Sequence, residues 1–161
     1  MTAPEPPAPH DDPAPHGTRA DGPWVVHRHR VIYGDTDAMG IVYYGNYLRF
    51  FEVGRAELVR ARGGTYRGME EDGLGLPVTE VGCRYHHPAR YDDVLEIATR
   101  VDEVGRVVLR FEYRITRARD GALLTTGFTR HACVELATGK VARLPDPVRA
   151  WLGGHPAREG P

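Results

Sequence analysis

The sequence predicts an α+β fold, a long antiparallel β-sheet wrapped around one central α-helix. Three observations lead there. Residues 46–62 hold one helix-length segment in which Tyr47, Phe50, Phe51, Gly54, Leu58 and Ala61 return at helical spacing. Several later segments carry a period of two, the mark of strands with one buried face. These strands follow one another with no alternation of strand and helix, so neither a parallel sheet nor a nucleotide-binding fold is expected.

Taken in order, residues 24–33 are rich in β-branched and aromatic side chains and read as a first strand. Asn46 is read as the N-cap of the helix, and Gly63-Gly64 as its stop. Arg49, Glu52, Arg55, Arg60 and Arg62 fill much of the other helix face, with Glu52 expected to pair with Arg55. A helix of this size runs about 25 Å at 1.5 Å per residue. Thr79, Val81, Cys83 and Tyr85 form one face of a second strand, and Leu95, Ile97, Thr99 and Val101 one face of a third. The clearest alternation sets Val107, Leu109, Phe111, Tyr113 and Ile115 against Val108, Arg110, Glu112, Arg114 and Thr116. Gly105 and the pair Asp120-Gly121 supply hairpin turns. Residues 122–136 read as one further long strand and 141–144 as a short last one. Strands of about eight residues reach about 26 Å, the length of the helix, so each can cover the other's apolar stripe.

The 161 residues suit one domain. Residues 1–22 hold Pro4, Pro6, Pro7, Pro9, Pro13 and Pro15 and read as a disordered tail, residues 23–153 as the folded unit, and 154–161 as a flexible end. A hydrophobic content of 41% with 21 basic and 22 acidic residues describes a soluble globular protein. No basic run with interleaved aromatics points to nucleic acid. No apolar run is long enough to span a bilayer, and no secretory leader is visible, so a cytoplasmic location is expected. Cys83 and Cys133 lack metal spacing and read as free thiols.

The most informative stretch is Tyr33-Gly34-Asp35-Thr36-Asp37-Ala38-Met39-Gly40-Ile41-Val42-Tyr43-Tyr44, followed by Asn46 and the helix. A phosphoryl-transfer reading of Asp35 and Asp37 needs a parallel sheet and a later catalytic lysine. Here the sheet reads as antiparallel, and the only lysine, Lys140, sits near the C-terminus. A Mg²⁺ reading lacks a third carboxylate nearby. Two readings stay open. In one, Asp37 lies beside the unpaired N–H groups of a helix start, which supplies a nucleophile or base and an oxyanion donor together. In the other, both aspartates cap a turn. His86 and His87 are adjacent on a strand, so they point to opposite faces and read as packing rather than metal ligands. His27 and His29 share a face without a third ligand and read as surface strand.

The same stretch, with Asn46-Tyr47-Leu48-Arg49-Phe50-Phe51-Glu52, resembles the signature of the 4-hydroxybenzoyl-CoA thioesterase family. That family consists of hotdog-fold acyl-CoA thioesterases and includes the short-chain enzymes encoded beside the Tol–Pal system. The run His87-Pro88-Ala89-Arg90-Tyr91-Asp92-Asp93 supports the resemblance, which spans about residues 25–144. It implies a hotdog fold and hydrolysis of an acyl-CoA thioester without metal or bound cofactor. Asp37 is then the catalytic nucleophile or general base. Tyr44 supplies a backbone N–H to the thioester carbonyl. Tyr33 and Asn46 flank the substrate, Arg106 meets the CoA phosphates, and Asp35 caps the loop. Tyr44 stands where some members carry His. The resemblance also implies a homo-oligomer, dimer or tetramer, with the site at a subunit interface. The alternatives carried from the same fold and from another class are a hotdog dehydratase or hydratase, and a non-catalytic acyl-CoA-binding module.

Overall fold

The computed structural model describes residues 18–19 and 22–153. Strand β1 is Thr18–Arg19 and β2 is Val25–Arg30, followed by a single 3-10 turn at Tyr33–Asp35. Helix α1 spans Asn46–Ala61, α2 spans Tyr66–Glu71, and β3 is Leu74–Gly75. Then come β4 (Val78–Tyr85), β5 (Val94–Val104), β6 (Val108–Arg117), β7 (Leu123–Ala132), β8 (Val134–Glu135) and α3 (Asp146–Leu152). The main sheet runs β1-β5-β6-β7-β4, and β2 also pairs with β5, on the edge that β1 extends. Every pairing in it is antiparallel. The tail expected over residues 1–22 otherwise lies largely outside the described residues, but Thr18–Arg19 pair with Glu103 and Val104 of β5.

The period-two pattern builds the core. Leu95, Ile97 and Val101 of β5, Leu109, Phe111, Tyr113 and Ile115 of β6, and Leu124 of β7 are all buried. They face Tyr47, Phe50, Phe51, Leu58 and Val59 of α1, which are buried too. The ring of Phe51 stacks on that of Tyr113 with centroids 4.2 Å apart. Gly54 lets the helix lie directly on β5: a Cβ there would strike Thr99 Oγ1 and fall 2.8 Å from Ile97 Cγ2. Helix α1 ends where Gly63-Gly64 predicts, with the Gly64 N–H donating to Val59 O at 3.0 Å.

Several expectations need correction. Asn46 is the first residue of α1, not its cap; Gly45 occupies the N-cap position. The first strand stops at Arg30, because Tyr33–Asp35 turn to aim the following loop over α1. The run 122–136 is not one strand. Beyond Ala132 its neighbours β6 and β4 have ended, so β8 takes its ladder bonds from β3 in a separate two-stranded sheet. Val141 makes only a single bridge to Val134, and the chain then forms α3, which the sequence reading had not assigned. Helix α2 was also missed; Thr65 caps it by accepting the Gly68 N–H at 2.9 Å. No ion pair joins Glu52 to Arg55 among the described residues.

A buried polar chain crosses the core. The His131 Nδ1–H donates to Leu76 O at 2.8 Å, so in the neutral ring Nε2 accepts the Thr129 hydroxyl at 2.9 Å. Thr129 Oγ1 in turn accepts the Tyr113 hydroxyl at 2.6 Å. Burial pushes the His131 imidazole down to about 4 and the Tyr113 phenol up to about 12.

Candidate active site

Asp35 and Asp37 lie two residues apart and serve different ends. Asp35 is buried, and its Oδ2 accepts the Ile32 N–H at 3.0 Å and the His29 Nε2–H at 2.9 Å. Its carbonyl oxygen accepts the Tyr43 N–H at 2.9 Å and the Asn46 side-chain amide at 2.8 Å. The expectation that Asp35 caps the loop holds. The His29 ring lies 4.7 Å from that of Phe50, on the inner face of β2 rather than the surface.

Beyond Thr36, which bridges to Val42, the chain makes a tight turn over 37–40. The Asp37 N–H donates to Ile41 O and the Gly40 N–H to Asp37 O, both at 2.9 Å. Gly40 sits at φ 71°, a conformation that disfavours a side chain. Asp37 is half-buried. Its Oδ1 accepts the Met39 N–H at 2.9 Å, and no group among the described residues takes up Oδ2. The Arg90 guanidinium reaches over the turn, 3.9 Å from where a Cβ on Gly40 would stand.

The return arm of the loop leads into α1. The Val42 N–H is taken by Ala89 O, and the N–H groups of Asn46, Tyr47 and Leu48 are taken by Tyr43, Tyr44 and Gly45 carbonyls. The N–H groups of Tyr44 and Gly45 have no acceptor among the described residues. They are the orphan donors expected at a helix start, where the helix dipole also favours negative charge. Tyr85 holds this corner from β4, its hydroxyl donating to Tyr44 O at 2.9 Å. Burial raises the Tyr85 phenol above its ordinary value, so it stays protonated as a donor at neutral pH. Beside Tyr44 opens a cavity of about 280 Å³, lined by Ile41, Val42, Tyr47, Tyr85, His87 and Pro88 among others. Among the described residues, two larger hollows lie elsewhere. One, of about 370 Å³, is on the outer sheet face, where Arg110 pairs with Asp102 and Glu112 with Arg100. The other, of about 480 Å³, lies beside β3 and β8. Neither is lined by Asp37 or Tyr44.

Of the residues singled out from sequence, Asp37, Tyr44 and Asn46 gather in this one loop and helix start. Tyr33 is exposed beside them, its ring stacked 3.8 Å from that of Tyr91. Arg106 is not brought there. It follows β5 at the end opposite the loop, an element of 11 residues and so about 33 Å long. His29, Tyr85 and Arg90 were missed as site residues. Period two put His29 on a face with His27, but only the packing of β2 on α1 reveals what that face meets.

Residues 31–152 match the thioesterase-like superfamily. The chain belongs to that superfamily. A relative in it, the acyl-CoA thioesterase YbgC of Haemophilus influenzae, is 37% identical over 122 residues, covering 75% of this chain and 88% of that one. Among solved structures, a hypothetical protein of Thermus thermophilus is 36% identical over 79% of this chain and 95% of its own, with a TM-score of 0.74. A 1,4-dihydroxy-2-naphthoyl-CoA thioesterase of Synechocystis, Slr0204, matches at a TM-score of 0.76 with 22% identity, covering 81% of this chain and 96% of that one. At that identity the likeness is one of fold. The thioesterase-like superfamily chain described here therefore has the hotdog fold, a curled antiparallel sheet around α1.

Proposed function

We propose that this chain hydrolyses acyl-CoA thioesters, with Asp37 as nucleophile or general base. The observation that carries the reading is local. A carboxylate oxygen without a partner and two amide N–H groups without acceptors belong to one loop, beside a cavity. Membership of the superfamily and the YbgC relative support thioester chemistry. In this reading the thioester carbonyl oxygen accepts the Tyr44 and Gly45 N–H groups, which stabilise the negative charge it gains on attack. If Asp37 is the nucleophile, its carboxylate oxygen bonds to the acyl carbon and the C–S bond breaks. Water then cleaves the resulting anhydride to give the free acid and regenerate the carboxylate. If Asp37 is the base, it takes a proton from the attacking water. In both routes the sulfur leaves as thiolate. A thiol's ordinary pKa of about 8.5 makes that a fair leaving group, so no strong general acid is required.

The reading extends to assembly. Strand β4 is one free edge of the sheet, β1 and β2 forming the other, and Val78, Val81 and Tyr85 on β4 are exposed. An open apolar edge favours pairing with a second copy. Antiparallel pairing of two β4 edges about a two-fold axis sets the Val78 end of one beside the Tyr85 end of the other. That exchange of ends is the route by which Arg106 of one copy reaches the CoA phosphates at the other copy's site. The free thiols Cys83 and Cys133 support a reducing, cytoplasmic setting.

The deciding experiment is Asp37→Asn assayed on a panel of acyl-CoA thioesters. It keeps the shape and removes the nucleophile or base, so kcat should fall about 10²–10⁴-fold with KM little changed. Turnover at the parent rate overturns the assignment.

A further inference from the structure

We propose that His29 and Asn46 are positioning residues, which act through Asp35 to set Asp37 and the Tyr44–Gly45 amides at a fixed separation. The inference rests on the catalytic reading above and adds two residues that touch no reacting atom. Two things must be held together, a carboxylate at residue 37 and a donor pair at 44–45. They are seven residues apart along a loop exposed on one side. Asp35 joins the two arms of that loop. On the outgoing arm its carboxylate is held by the His29 Nε2–H at 2.9 Å and the Ile32 N–H at 3.0 Å, which fixes the backbone two residues before Asp37. On the return arm its carbonyl is held by the Tyr43 N–H at 2.9 Å and the Asn46 amide at 2.8 Å. Tyr43 and Asn46 bracket Tyr44 and Gly45. The donor pair is thus pinned on both sides to the residue that anchors the carboxylate's arm.

Each end of the clamp is itself supported. His29 stands on β2, whose register on β5 pairs it with Leu95, and its ring lies against Phe50 of α1. Asn46 opens α1, and its Oδ1 accepts the Arg49 guanidinium at 3.3 Å. Its amide nitrogen is spent on Asp35, which gives this side chain a task other than touching substrate. Displacements of about 1 Å in a reacting geometry cost on the order of 10²-fold in rate, which sets the scale of the expected effect.

The test compares paired variants of the full chain on an acyl-CoA thioester. His29→Phe keeps a ring on Phe50 and deletes the bond to Asp35. It should lower kcat ten- to a hundredfold, leave KM within about twofold, and speed amide exchange across 36–47. His29→Gln, which retains an N–H donor, should restore most of kcat. Asn46→Ala should lower kcat in the same way with the fold retained. The proposal is overturned if folded His29→Phe and Asn46→Ala both turn over at the parent rate while Asp37→Asn is inactive. It is also overturned if the loss in His29→Phe appears in KM alone, or is not recovered in His29→Gln. Full activity in Asp37→Asn overturns the catalytic reading and the positioning role with it.

Discussion

At the scale of single residues, burial separates side chains that look alike in sequence. Asp35 and Asp37 share a motif, yet one is 3% exposed with its Oδ2 held by two donors, while the other is half-buried and held by a single N–H on Oδ1. Asp35→Asn should therefore cost stability as well as turnover. It removes charge-assisted bonds of a buried group, worth about 1.5–3 kcal/mol each, and urea titration should show the loss. His131 offers a second residue-scale prediction. In the unfolded chain its imidazole titrates near the ordinary value of about 6.5, but in the fold at about 4. Between those values the unfolded chain holds the extra proton, so acid favours unfolding. The contribution is intact above about pH 6.5 and is lost as pH falls toward 4. That amounts to on the order of 3 kcal/mol at about 1.4 kcal/mol per unit. Unfolding free energy measured from pH 7 to pH 4 should fall more steeply in the parent than in His131→Gln, which cannot titrate; parallel curves would sink the assignment.

At the scale of elements, the contact of α1 with β5 is a tight constraint. Gly54 reads in the sequence as one more position on the apolar stripe. In the structure it is the point where helix backbone meets Thr99 and Ile97. Gly54→Ala should raise helix propensity but overpack this contact, with a net loss of about 1–3 kcal/mol. A gain in melting temperature would show that the helix can shift to make room. The strands were legible because alternation writes itself into sequence whenever one face is buried. The breaks were less so. Where the run 122–136 leaves the main sheet depends on where β6 and β4 end, a fact held in other parts of the chain. The short helices α2 and α3 carry too few turns for periodicity to mark them.

For the whole molecule, one sheet edge and one distant arginine point to the same consequence. The active form should be an oligomer, and light scattering that finds an active monomer of about 17.9 kDa would overturn this. Arg106→Ala should raise KM for a CoA thioester while leaving a matching thioester of a small thiol unchanged, and added salt should shrink the difference. If Arg106 serves the neighbouring copy's site, mixing Asp37→Asn with Arg106→Ala protein should restore low-KM turnover in the mixed dimers. No recovery after subunit exchange would place Arg106 outside the site.

What the sequence determined by itself was the local and the periodic. It specified a helix of α1's length, strands of matching reach, hairpin turns at Gly105 and Gly121, and a loop motif specific enough to indicate the superfamily. These follow from side-chain spacing and backbone preference within short windows, which is information the chain carries in order. Only the tertiary structure decided that His29 faces Asp35, that Asn46 reaches back to the loop instead of capping its helix, and that Arg106 stands a full strand away from Asp37. Each of those depends on which distant segments the sheet and helix bring together, and long-range packing leaves no periodic trace at the positions it joins.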